Sequence, residues 1–453
     1  MSKRILSFDE YLSGASSLNE DRMQEIESAC KKRQEIKFFN VAPIGFVPHL
    51  ILEGGAAGHM MHPFDDNSLT FGDFKKIVDG ALQGKLDFEE QPTEKTDGQN
   101  LFVTIKNGNA HFARNKGQMI SPLNLKGIKN MFIDHPSGGV RDTFTLAAQD
   151  LASALEKLKD QTIFNDGKSF INLELIYSSN ANVINYDRDV IQFHGVSHTD
   201  GEGNIISVDG SLAPKIVKQL ESIKAHIQNT FTIIPPQILK IGRDINFDDR
   251  VNYYYKKIES LKKVYNLQDT DEVSRYHDEW WKNLIDKDFS NLSDDVKNGL
   301  LMRWAYNDKK TLGIKDIKKM VDDSQMKAIK DYDSPKNIKT KQKENMRPFE
   351  DLFLELGSDV LKNVANFVAA NPKKEMQRLH AQIRSEAGKI KKGGDLSQIE
   401  RVERELARLE RIGGVESIMP TEGLVFKLNG KLFKLTGTFA AINQLMGIIK
   451  YGR

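Results

Sequence analysis

The chain has 453 residues, a formal net charge of +2 and one cysteine, Cys30, which leaves room for roughly two or three domains and a sizeable core. A single cysteine excludes an internal disulfide and a cysteine-rich zinc site and fits a reducing compartment, and the near-neutral charge confines any nucleic-acid site to a local patch. A mean hydropathy of −0.48, with no apolar run of membrane-span length and no secretory h-region, points to a soluble intracellular protein.

Short helices are expected at Phe8 to Leu12 and Asp21 to Gln34, neither with a strong apolar face. The glycine-rich run from Gly54 to Gly58 lacks the strand-then-helix context of a phosphate loop and reads as a flexible turn. His59 and His62 have no further ligands beside them, so a metal site is not expected there. Thr70 to Gln83 reads as a capped amphipathic helix, with Phe71, Phe74, Ile77, Val78 and Leu82 on one side.

Lys95-Thr96-Asp97-Gly98 then joins an amine, a carboxylate and a glycine directly before a strand in which Leu101, Val103 and Ile105 alternate with Phe102 and Thr104. A lysine desolvated at the start of a buried strand, among other cations, has its pKa pushed down from about 10.4, and a neutral amine is a nucleophile. Gly98 lets the backbone approach a ligand closely. The plainer alternative is a turn entering a strand. A hairpin at Lys106 to Asn109 leads to Arg114-Asn115-Lys116-Gly117, and a helix is expected at Thr143 to Leu158. Ile171 to Ile176 sets one carboxylate, Glu174, in an otherwise apolar strand, and Ile191 to Val196 forms another strand. A buried acid is costly unless it is paired or binds something.

From about Asp209 to Gly414 the chain reads as mostly helical and highly charged. Tyr253, Tyr254, Tyr255, Trp280 and Trp281 are either stacking surfaces or buried aromatics. Lys309 to Arg347 is lysine-dense, with a loop expected at Ser334-Pro335-Lys336; it is either a solvated face or a strip that tracks a phosphate backbone. Leu352, Leu356, Val360, Val364 and Phe367 share one helical face, and Leu396 to Ile412 carries a second apolar stripe. Gly413-Gly414 ends that helix. Glu422 to Lys427 repeats the acid-in-strand pattern with a lysine added, and Lys431 to Lys434 follow an Asn429-Gly430 turn.

The order of these segments resembles the covalent nucleotidyltransferase superfamily of DNA ligases, RNA ligases and mRNA capping enzymes. Lys95, Asp97 and Gly98 match its K-x-D-G motif, Arg114 to Gly117 look like its R-N-x-G element, and Glu174 matches the acid of its third motif. Ile191 to Val196 is similar to the aromatic strand that follows, Glu422 to Lys427 match E-G-x-V-x-K, and Lys434 falls at the first lysine of the fifth motif. Thr436 stands where that motif has a second basic residue. The resemblance spans roughly Leu69 to Ser197 and Ser417 to the end.

The resemblance implies an α+β fold: an antiparallel-sheet, ATP-grasp-like ligase adenylation domain with a large helical insertion. The expected division is an N-terminal segment over 1–65, nucleotidyltransferase parts over 66–208 and 415–453, and the insertion over 209–414. Only Gly437 to Arg453 follow the fifth motif, short of an OB domain, which favours the RNA-ligase branch over DNA ligases and GTP-using capping enzymes. The implied activity is an ATP-dependent polynucleotide ligase that joins 5′-phosphate and 3′-hydroxyl ends of RNA or nicked duplex through a lysyl-AMP. A nucleotide-binding or structural protein that has lost strand joining is the alternative from another class.

By the same resemblance Lys95 is the nucleophile, with Asp97, Lys427 and Lys434 catalytic beside it. Lys427 and Lys434 would contact the α-phosphate and hold down the pKa of Lys95. Glu174 would accept from the ribose hydroxyls, Arg114 would contact ribose or phosphate, and Phe193 would stack on adenine; Glu94 and Gly98 complete the nucleotide contacts. Glu422 would face Mg²⁺, or Mn²⁺ in its place. Lys95 to Leu101 is also similar to tailed-phage nucleotidyltransferases, and Ile51-Leu52-Glu53 before Gly54 resembles the cleavage signal of phage head proteases. These imply the host cytoplasm, with packaging into the virion as the alternative.

Overall fold

The computed structural model describes residues 60–306, 312–366, 372–393, 396–412, 414 and 419–451. The expectations on the segments before residue 60, and on Phe367 and Gly413, lie outside them. The architecture is α+β, with two sheets built almost wholly from antiparallel pairs. Ten strands contribute: β1 (Thr93–Lys95), β2 (Gln99–Lys106), β3 (Asn109–Ala113), β4 (Leu123–Asn124), β5 (Ser169–Ile176), β6 (Val190–Thr199), β7 (Ile205–Asp209), β8 (Thr232–Ile234), β9 (Gly423–Leu428) and β10 (Lys431–Leu435). The small sheet runs β1-β9-β10. The large one runs β4-β3-β2-β5-β6-β7, with β8 added parallel to β6.

Local sequence explains the hairpins. Asn107-Gly108 and Asn429-Gly430 all take positive φ, 50°, 73°, 53° and 74° in turn, the mirror-image turn whose twist matches the flanking strands. Thr70 caps the helix Phe71–Gln83: its hydroxyl accepts from Asp73 N–H at 3.0 Å while the Asp73 carboxylate accepts from Thr70 N–H at 3.0 Å.

Each sheet packs one face into a main hydrophobic core. Leu101, Val103, Phe112, Ile171, Leu173 and Phe193 of the large sheet pack with Phe144 and Leu151 of the helix Gly138–Leu155. Leu424, Phe426, Phe433 and Leu435 of the small sheet pack under Phe74 and Ile77 of Phe71–Gln83 and under Leu352 and Leu356 of Pro335–Lys362. The opposite faces carry Glu174, alongside a smaller buried cluster of Phe102, Ala113, Met119 and Phe170, and Lys95 respectively.

The stretch 209–414 does not stand apart as one insertion. The helix Leu212–Ser222 and β8 belong to the large sheet, where Ala213, Ile216, Leu220 and Ile233 join its core. Pro335–Lys362 roofs the small sheet, and the helices Pro372–Gly393 and Leu396–Arg411 pack on Thr438–Tyr451. A separate core gathers Trp281, Val296, Leu300, Trp304, Ile317 and Ile329. The boundary expected at 208/209 thus falls inside the large sheet's own body. Ser334-Pro335-Lys336 is a helix start and not a loop: the Ser334 hydroxyl accepts from Asn337 N–H and Pro335 fills the first turn. Among the described residues, no helix is long and apolar enough to cross a membrane.

Candidate active site

Lys95 ends β1 and pairs with Gly423 on β9, while Lys434 on β10 pairs with Val425 and Leu432 pairs with Lys427. Side chains alternate across a strand, so Lys95, Val425, Lys427 and Lys434 share the face opposite Phe426 and Phe433. Gly423 admits no side chain, because a Cβ there would run into the Leu435 carbonyl. Across the gap, Glu174 sits between the core residues Leu173 and Leu175 of β5 and therefore points out of that core.

The two faces meet at one ammonium group. Lys95 Nζ donates to Glu422 Oε2 at 2.9 Å, to the Thr96 carbonyl at 2.9 Å and to Glu174 Oε1 at 3.3 Å. Glu174 also accepts from Thr96 Oγ1 at 2.8 Å and Gly98 N–H at 3.0 Å, with His194 Nε2 at 3.2 Å. Gly98 is required by this crossing, since a Cβ would sit 2.6 Å from Glu174 Cγ. Lys434 Nζ lies 4.0 Å from Glu422 Oε1, which extends the chain of alternating charges.

Electrostatics correct one expectation. Burial favours the neutral amine of Lys95, but Glu174 and Glu422 outweigh it and hold its pKa above the ordinary lysine value. Its nearest charges are acids, and the expected cations stand one step further out. Lys434 does have its pKa lowered, by burial first and by Lys95 among its neighbours. Lys427 shares the site face but is tied to Glu90 at 2.6 Å. Burial likewise favours protonated Glu174, and Lys95 and His194 overcome it to keep the carboxylate charged.

Four other expected site residues take different places. Asp97 Oδ2 accepts from Val183 N–H at 2.7 Å and Ile184 N–H at 2.9 Å, so the carboxylate fastens a neighbouring segment instead of facing Lys95. Burial, with Glu422 nearby, pushes its pKa up to about 6 against those two bonds. Glu94 is fully buried and pairs with Leu424, on the strand face opposite Lys95. Arg114 lays its guanidinium 4.3 Å over the Phe144 ring, on the core face of the large sheet. Phe193 is fully buried in that same core, so its ring is closed off from the gap.

The side chains that do face Glu174 were missed by one strand position. A bulge skips His194 between the pairs Asn172–Gly195 and Leu173–Phe193, which turns the imidazole onto Glu174. Gln192 pairs with Glu174 itself and is fully buried, with no hydrogen-bond partner for either amide atom among the described residues. Thr96 and Tyr186, whose hydroxyl accepts from Asp97 N–H at 2.9 Å, complete the surroundings. Only the pairing register and the bulge reveal Gln192 and His194 as neighbours, and neither is legible in Ile191 to Val196 alone.

Glu422 offers hard oxygen donors at the edge of the gap, which fits Mg²⁺ held by one carboxylate together with substrate phosphates. No protein-family model matches this chain, and no curated protein or solved structure matches it.

Proposed function

We propose that this protein is an ATP-dependent polynucleotide ligase, nearest in kind to RNA ligases and a member of the covalent nucleotidyltransferase superfamily. The observation that carries this reading is the meeting of Lys95, Glu174 and Glu422, from segments 79 and 327 positions apart, with Lys434 beside them. Such a gathering of two acids and two lysines around a glycine-lined gap suits an anionic nucleotide.

In the proposed first step the Lys95 amine attacks the α-phosphorus of ATP. An N–P bond forms, the α–β P–O bond breaks, and pyrophosphate leaves. Lys95 must first give up a proton, and its two carboxylate partners are placed to receive it. Binding of the ribose hydroxyls by Glu174 would loosen the ion pair that keeps the amine charged. Lys434 then neutralises charge on the transferring phosphate, and positioning supplies most of the rate. When bound, Mg²⁺ would offset charge on the polyphosphate, with Glu422 as its protein ligand. The AMP then passes to a 5′-phosphate end, and a 3′-hydroxyl displaces it to form the phosphodiester.

Incubation with α-labelled ATP and GTP in parallel tests the reading. A covalent adenylate on Lys95 supports it, a guanylate favours a capping-type transferase, and no label overturns both. Thr436 favours a second reading, a nucleotide-binding protein without strand joining. It is buried, its hydroxyl has no partner among the described residues, and it brings no charge to the gap. Adenylation without sealing of a nicked or single-stranded substrate would select that second reading.

A further inference from the structure

Residues 181–189 connect β5 and β6 without regular secondary structure after the short turn at Ser178–Asn180. Their path is fixed by polar bonds on two sides. Toward the site, Asn182 accepts from Gln99 Nε2 at 2.8 Å and donates to the Gly98 carbonyl at 3.0 Å. Val183 and Ile184 donate to Asp97, and Asp97 N–H donates to the Tyr186 hydroxyl. Away from the site, Asn185 N–H donates to Glu375 Oε1 at 2.9 Å, and Arg378 donates to the Val183 carbonyl. Arg378 Nε also holds both Glu375 oxygens at 2.9 Å. Glu375 is buried, so its carboxylate is committed to an irregular backbone segment and one arginine.

A buried acid whose oxygens are committed to one backbone amide and one arginine leaves that segment little alternative path without stranding a charge. We propose that Glu375 and Arg378, on the helix Pro372–Gly393, are positioning residues that hold a strap of residues 182–186 against Asp97 and Gly98, and so set the geometry of nucleotidyl transfer at Lys95. The inference rests on the proposed lysyl-AMP chemistry for its catalytic half. The helix itself packs through Leu379 and Ile383 on Ile442 and Leu445, and the strap's Val183, Ile184 and Tyr186 enter the same core. A shift of that helical layer therefore reaches the Lys95-Thr96-Asp97-Gly98 turn through bonds and not merely through proximity.

The test compares the 453-residue chain with Glu375→Ala and Glu375→Gln. Single-turnover lysyl-AMP formation is measured across ATP concentrations, alongside backbone amide exchange at Val183, Ile184 and Asn185 and thermal melting. Glu375→Ala should slow the step about 10- to 100-fold at saturating ATP, since small misplacements near a reacting centre cost on that order. The ATP concentration for half-maximal rate should stay within about threefold, because the strap touches neither phosphate nor ribose in the proposed mode. Exchange at the three amides should rise. Glu375→Gln, whose amide oxygen still accepts from Asn185 N–H, should recover most of the rate. An unchanged rate with faster exchange overturns the proposal, as does a rate loss that Gln fails to rescue and that follows melting temperature. If the wild-type chain forms no adenylate, the functional reading fails, and unchanged exchange in Glu375→Ala separately removes the strap.

Discussion

Lys95 is held by two carboxylates, so its substitutions separate charge from chemistry. Lys95→Arg keeps the positive charge but stays protonated and cannot attack phosphorus. It should take no label from α-labelled ATP while melting near the wild-type temperature. Lys95→Ala should also take no label, and it removes the ammonium that bridges Glu174 and Glu422. Its melting temperature should drop, by an amount equivalent to about 3 kcal/mol. Label in either variant would remove Lys95 as the nucleophile. The sequence singled out Lys95, Glu174, Glu422 and Lys434, which the structure brings together, because K-x-D-G and acid-in-strand patterns survive in a linear string. It misplaced Phe193 because a bulge at His194 changes which residues share a face, and a one-residue slip reverses every side chain. Phe193→Ala should cost about 3–5 kcal/mol of stability by opening a cavity in the core. His194→Ala removes one hydrogen bond to Glu174, so it should cost about 1–3 kcal/mol, less than Phe193→Ala, and weaken nucleotide binding. The opposite pattern would return Phe193 to the site.

The helices Ile314–Met320 and Asp323–Tyr332 turn Ile317, Met326 and Ile329 inward and leave Lys315, Lys318, Lys319, Lys327 and Lys330 exposed. Lys319 is paired with Asp316 at 2.7 Å. Replacing the five lysines with Gln should weaken polynucleotide binding and flatten its salt dependence, with self-adenylation unchanged. An unchanged salt slope would make the charges a solvated face and place the substrate elsewhere. Elements with strong local signals were legible: the capped helix Phe71–Gln83, both Asn-Gly hairpins and the stripe of Leu396–Arg411. The start of Pro335–Lys362 was not, because Ser-Pro marks a turn and a helix N-terminus equally well and only tertiary packing decides between them. The Glu375–Arg378 tether was invisible for a related reason. Nothing in the sequence around Glu375 shows that its carboxylate meets Asn185, 190 positions away.

Over the whole molecule, the resemblance implied an α+β chain and the structure is α+β, but the division into domains was read too simply. Helical content in 209–414 looked like one inserted body, whereas its helices are shared among the cores of both sheets, the core against Thr438–Tyr451 and a further core of their own. One of these shared cores makes a pH prediction. His277 and Asn345 are buried together, with His277 Nδ1 2.9 Å from Asn345 Oδ1. Burial pushes the His277 pKa down to about 4, against the pull of Asn345. The unfolded chain protonates this residue near 6.5, so its contribution is complete above that pH and is lost as pH falls from 6.5 toward 4. The loss is about 3 kcal/mol. Urea midpoints measured from pH 7 to pH 4.5 should therefore fall more steeply in the wild type than in His277→Gln. Parallel profiles would mean that other groups govern the acid limb.

The pairing of β1 with β9 has a consequence for synthesis. The carboxylate that completes the Lys95 site lies 327 positions further along the chain, and the small sheet cannot close until β9 and β10 have been made. A ribosome adding about 5–20 residues per second would expose Lys95 for tens of seconds before Glu422 and Lys434 exist. During that interval the large sheet can fold, but the amine has no small-sheet partner and the nascent chain holds no assembled site. Stalled chains ending before Gly423 should accordingly take no label from ATP, while chains extended past Leu435 and clear of the exit tunnel should.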